Sequence, residues 1–115
     1  MNFDFNITKH EQYAIIGLSG ELIEKSQAVS LLEKTEELVA QNFTKLAIDL
    51  EQLKYMNSSG LNTLIQLLTK ARVGGGEVVL FNMNKKINEL ILITKLHTLF
   101  KVTETKEEAI KLLGI

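Results

Sequence analysis

The spacing of apolar residues changes period several times along this chain, and that alternation restricts the fold more than any other feature. Phe3, Phe5 and Ile7 alternate with polar neighbours, the pattern of a half-buried strand at a sheet edge. Tyr13 to Leu18 (YAIIGL) is a mostly apolar run of β character, ended by Ser19-Gly20. From about Gln27 to Gln41 the spacing turns helical. Ala28, Leu32, Val39 and Phe43 keep one face apolar, while Glu33, Lys34, Glu36 and Glu37 lie largely on the other. Leu46 to Leu50 (LAIDL) is short, apolar and bounded by polar residues, as a central strand should be.

A second helix is expected from about Ser58 to Arg72, with Leu61, Leu64, Ile65 and Leu68 on one stripe. Gly74, Gly75 and Gly76 tolerate positive φ and can end it. Val78 to Phe81 reads as a further buried strand, and Asn84 can cap a helix running through Leu96. Phe100-Lys101-Val102 suits a last short strand. Thr105-Lys106-Glu107-Glu108 is a capping box, in which Thr105 and Glu108 each satisfy a free backbone N–H. It opens a final helix carrying Ala109, Ile110, Leu112 and Leu113.

Strands alternating with helices of this length predict an α/β fold. The expectation is a mixed central sheet of about four to five strands, with parallel pairs, covered by about four helices. The 115 residues fit one domain spanning 1–115, and the 45% hydrophobic content suffices for a core at this size. Lys plus Arg number 13 and Asp plus Glu 14, a net charge of −1. Nothing in that balance recruits a nucleic-acid backbone or an anionic membrane. Cysteine is absent, so disulfides and a thiolate zinc site are excluded, and His10 and His97 are lone imidazoles. Neither a metal nor a cofactor is expected. MNFDFNITKHEQ lacks the basic start and apolar run of a signal peptide, and no stretch approaches the roughly 18 apolar residues of a membrane span. The expectation is a cytoplasmic protein without membrane insertion, monomeric or weakly dimeric.

The segment after LAIDL carries the most chemistry. Asn57, Ser58 and Ser59 are all strong N-cap residues, because a side-chain oxygen can accept from the first free backbone N–H groups. One reading is simply a well-capped helix. The other uses the same physics for a switch. A phosphate on Ser58 would sit at the positive end of the helix dipole, near unpaired N–H donors, and add about −1.5 to −2 charge units to a surface that otherwise meets a partner uncharged.

Other features favour plainer readings. Gly74 to Gly76 follow a helix and precede a strand, the reverse of a phosphate loop. Ser58, His97 and Asp49 lack the Gly-x-Ser-x-Gly elbow of a hydrolase, and nothing in the sequence brings them together. With no metal set, cofactor loop or acid/base pair, an enzyme is not expected. Leu90-Ile91-Leu92-Ile93 is either one turn of a deeply buried helix or an exposed patch for a partner or self-association.

LAIDLEQLKYMNSSGLNTLI resembles the signature of STAS-domain anti-sigma factor antagonists: a strand ending in Asp-Leu, a short link, then Asp-Ser-Ser/Thr-Gly-Leu opening a helix. Ser19-Gly20-Glu21-Leu22 is similar to the family's Gly-Glu/Asp-Leu segment. Asn88-Glu89-Leu90 through Leu96, with Leu99 to Val102, resembles its third helix and following strand. The resemblance covers nearly the whole chain and implies a non-enzymatic regulator. Its partner would be an anti-sigma factor that is also a serine kinase, bound when the antagonist is unphosphorylated and released by phosphorylation. Carried onto this chain, the acceptor is Ser58. The contact surface is Gly20, Glu21, Leu22, Ile23 and Glu24 together with Asn57, Ser58, Ser59, Gly60 and Leu61. Asn57 stands where the family usually has Asp, and Ile23 where an acidic residue usually follows Gly-Glu-Leu. The alternative is a STAS scaffold or transporter-associated subunit that binds through the same face without phosphorylation, which Asn57 favours.

Overall fold

The structure is a computed structural model and describes residues 2–115. Its strands are β1 (Phe3–Lys9), β2 (Ala14–Leu22), β3 (Lys45–Met56), β4 (Glu77–Phe81) and β5 (Lys101–Val102). They lie in one sheet in the order of the sequence; β1 and β2 are antiparallel and every later pair is parallel. The helices are α1 (Val29–Ala40), α2 (Ser58–Val73), α3 (Lys85–Ile93) and α4 (Lys106–Leu112), with single 3₁₀ turns at Lys25–Ala28 and Leu96–Thr98. This is the mixed α/β sheet, with its four helices, that the alternating periods predict.

The two faces of the sheet are covered unequally. On one, Ile16, Ile48 and Leu80 pack against Leu31 and Leu38 of α1, Leu64 and Leu67 of α2, and Ile87 and Ile91 of α3. On the other, Ala47, Val79 and Phe81 meet Ala109 of α4 and Leu113 just after it, with Tyr13 and Ile15 partly buried beside them. Parallel strands need crossovers, and the three crossover helices supply the larger core.

The edge strand β1 buries one face as expected. Asn2 accepts from the Glu21 N–H and Tyr13 from the His10 N–H, each at 2.8 Å. In an antiparallel ladder these bonds fix the parity, so the backbone groups of residues 3, 5, 7 and 9 face the open edge. One of them, the Phe5 N–H, is taken by the carboxylate of Asp4 at 2.8 Å.

Several expectations change. β2 does not stop at Ser19-Gly20 but continues to Leu22, because register shifts after Gly17 and Gly20 let it bend, Gly20 having a φ of 86°. β3 does not stop at Leu50. Its strand pattern runs on through the supposed link, where Leu53 and Met56 are buried between exposed pairs. On α1 the inward residues are Leu31, Thr35 and Leu38, whereas Leu32 and Val39 are half-buried. Thr35 is tolerated inside because its hydroxyl donates to the Leu31 carbonyl at 2.8 Å. α3 ends at Ile93, not Leu96, since Lys95 has a left-handed φ of 61°. Its Leu90 to Ile93 turn is not deeply buried: Ile91 is inside, but Leu92 is 49% and Ile93 79% exposed. Of the glycine cluster, only Gly75 has positive φ, and Gly76 passes so close to the Thr44 backbone that a Cβ has no room.

Candidate functional site

In an open α/β sheet the loops beyond the carboxyl ends of parallel strands converge, and side chains placed there can share one surface. β2 and β3 end side by side: Glu21 pairs with Tyr55 and Leu22 with Met56. The chain then leaves β2 through Ile23 and Glu24, and leaves β3 through Asn57 into α2. The two segments singled out from sequence, far apart in the chain, thus meet at one corner of the sheet.

Asn57 joins them. Its backbone is extended, and its side-chain Oδ1 accepts from the N–H groups of Ser59 at 3.0 Å and Gly60 at 3.3 Å, capping α2. Its Nδ2 donates to the Ile23 carbonyl at 2.9 Å, and its backbone N–H donates to the Leu22 carbonyl at 3.4 Å. One amide side chain therefore starts the helix and ties down the β2 turn. The two departures from the antagonist pattern, Asn57 and Ile23, are in direct contact, through the Ile23 backbone. The N–H groups of Ser59 and Gly60, expected to be free for a phosphate, are occupied.

Gln27, which sequence alone does not single out, holds the other side of that turn. Its Oε1 accepts from the N–H groups of Ile23 and Glu24, both at 2.9 Å, and its Nε2 donates to the Glu21 carbonyl at 3.1 Å. The signal was present as Gln three residues after Glu24, the spacing of a capping box, but with Glu in place of Ser or Thr at its head.

The candidate residues divide by exposure. Ser58 and Glu24 are exposed, and Gly20, Glu21, Ile23, Asn57 and Ser59 are half-buried. Leu22, Gly60 and Leu61 are inside, so they support the surface rather than form it. Gly60 is where α2 touches β2: a Cβ there would lie 2.6 Å from the Leu22 carbonyl oxygen and 2.6 Å from Met56 Cβ. Beside Ser58 lies a cavity of about 180 Å³, lined by Lys25, Ala28, Leu32, Asn62 and Gln66 among others. Elsewhere, Asp49 accepts from the Glu51 N–H at 3.0 Å and from Asn82 Nδ2 at 3.2 Å, a structural role. Among the described residues no group of three or more His, Cys, Asp or Glu side chains could hold a metal ion, and no helix is long and apolar enough to cross a membrane.

The STAS domain family model matches residues 4–109, and the chain belongs to that family. It is 26% identical over 111 residues to the anti-sigma-B factor antagonist of Bacillus subtilis (strain 168), covering 96% of this chain and all of the relative. Its fold is similar to that of an anti-sigma factor antagonist from Mycobacterium paratuberculosis, with a TM-score of 0.84, 20% identity, and coverage of 99% and 96% of the two chains. It also resembles the phosphorylated form of the Bacillus cell fate determinant SpoIIAA, with a TM-score of 0.72, 22% identity, and coverage of 94% and 97%.

Proposed function

We propose that this protein is an anti-sigma factor antagonist that binds an anti-sigma factor with serine kinase activity and is switched off by phosphorylation of Ser58. The observation that carries the reading is the convergence of the β2 turn and the α2 start on one corner, with the Ser58 hydroxyl exposed there. Family membership and the names of the similar proteins support it. The protein acts by binding, with the partner meeting Glu21, Ile23, Glu24, Asn57, Ser58 and Ser59, and Gly20, Leu22, Gly60 and Leu61 shaping the surface beneath. Its place of work would be the cytoplasm, where ATP and sigma factors are found.

In the switch, a bond forms between Ser58 Oγ and the γ-phosphorus of ATP as the bond to the ADP oxygen breaks; the hydroxyl proton passes to a base of the kinase. The added charge then has to be desolvated for the partner to dock, which weakens the complex. The test is incubation with ATP and an anti-sigma factor that has serine kinase activity. The expected result is a mass gain of one phosphate in the wild type and none in Ser58→Ala. No gain, or a gain kept by Ser58→Ala, sinks the switch.

One observation favours a second reading, a phosphorylation-independent STAS scaffold or transporter-associated subunit. The Asn57 amide clamps Ile23 with Ser58 unmodified, so this surface forms without any phosphate. Equal partner affinity for Ser58→Asp and wild type would select it.

A further inference from the structure

A phosphate on Ser58 needs donors, and the start of α2 is short of them. Asn57 Oδ1 already holds the N–H groups of Ser59 and Gly60, and the Leu61 N–H donates to the Asn57 carbonyl at 3.0 Å. The helix dipole still favours negative charge there, and the Ser58 N–H is in no hydrogen bond among the described residues. The Ser59 and Gly60 amides, however, cannot turn to a phosphate without giving up the cap.

The cavity next to Ser58 offers another partner. It lies between the 3₁₀ turn before α1, α1 itself and α2, and its one charged lining residue is Lys25. The remaining lining side chains are neutral, among them the amides of Asn62 and Gln66 and the hydroxyls of Ser58 and Ser59. Glu21, near the end of β2, and Glu24, in the turn after it, do not line it. Among the described residues the Lys25 ammonium takes part in none of the ion pairs, which are Lys34–Glu37, Lys70–Glu36, Arg72–Glu77 and Lys101–Glu77. It is a flexible cation without a carboxylate partner, sharing a groove with the serine.

We infer that Lys25 is the counter-cation of the phosphorylated form: its ammonium pairs with the phosphate on Ser58 and draws it into the groove between the 3₁₀ turn and α2. Phosphorylation then does two things at once, adding charge to the partner surface and filling the recess beside it. The inference rests on Ser58 being the modified residue, but its chemistry is open to test without any kinase.

The experiment uses the full chain with phosphoserine installed at position 58 by genetic encoding, titrated by ³¹P NMR. A nearby ammonium stabilises the dianion, so the second phosphate pKa in the wild type should lie below that of Lys25→Gln, by roughly half a unit for a partly exposed pair. Lys25→Arg should restore the lower value. Lys25 is exposed and outside the core, so these variants keep the fold, which the unchanged amide spectrum of the remaining residues checks. The same pKa in wild type and Lys25→Gln overturns the inference. This contrast decides the role of Lys25 whatever the kinase assay returns: a chain the kinase ignores can still show it, and a chain the kinase modifies can still lack it.

Discussion

Asn57 opens α2 and Asn84 opens α3, and both side chains work in two directions. Asn84 Oδ1 accepts from the Ile87 N–H at 2.8 Å, while its Nδ2 donates to the Leu53 carbonyl at 3.0 Å. Asn57 does the same toward Ser59, Gly60 and Ile23. The capping device is thus shared, and it cannot by itself mark a site. The first helical residues are where the two starts differ. After Asn57 come two serines and a glycine; after Asn84 come Lys85, Lys86 and Ile87. At the third helical position α2 needs the absence of a side chain, because Gly60 rests on the end of β2, whereas α3 needs a large one, Ile87, 1% exposed. The α2 start is pressed into the sheet corner where two loops meet. The α3 start is anchored by a side chain reaching into the core.

This contrast can be broken at several points. The largest effect is expected for Ile87→Ala, which removes a buried anchor and should cost about 2–5 kcal/mol in urea unfolding. Gly60→Ala should cost about 1–3 kcal/mol by overpacking against Leu22 and Met56, so that the smaller residue is favoured at one helix start and the larger at the other. If Gly60→Ala unfolds at the wild-type urea midpoint, the close approach of α2 to β2 is wrong. Asn57→Asp and Asn84→Asp keep an oxygen for the cap but lose the donated bond to Ile23 or Leu53, and each should cost about 1 kcal/mol. Their consequences should separate: Asn57→Asp speeds amide exchange at Glu24 and alters partner affinity, while Asn84→Asp leaves both as in wild type. Ser58→Ala should move stability by less than about 0.5 kcal/mol, because the hydroxyl is exposed and the cap belongs to Asn57. In the same variant phosphorylation by the kinase should vanish in mass spectrometry.

Much of the fold was readable because local signals agreed with the final packing. Phe3, Phe5 and Ile7 announced the edge strand, and Thr105 with Glu108 announced the last helix, where both halves of the capping box form. The misses have identifiable physical causes. Leu53 and Met56 recur every third residue, a period that belongs to neither an ideal strand nor an ideal helix, and it arises because the β2–β3 ladder shifts register twice. Thr35 hid the inner stripe of α1, since a polar residue enters the core only when its own helix satisfies it. The run of capping residues Asn57, Ser58 and Ser59 was legible as a helix start, where α2 begins. Which of the three would cap was not, because that choice depends on Asn57 finding Ile23 from another part of the chain. Gln27 escaped for the same reason: its partners lie on a turn whose shape only the tertiary structure supplies.

Asp4 has a consequence beyond its own strand. A seven-residue edge with alternate N–H groups pointing outward is a template on which a second chain can grow, and natural sheets blunt such edges with charge. Here the carboxylate occupies one template position at Phe5 and sets a negative charge beside the next. An incoming strand would have to displace it and dehydrate it before pairing. The carboxylate therefore makes this edge a poorer template for a second copy of the chain.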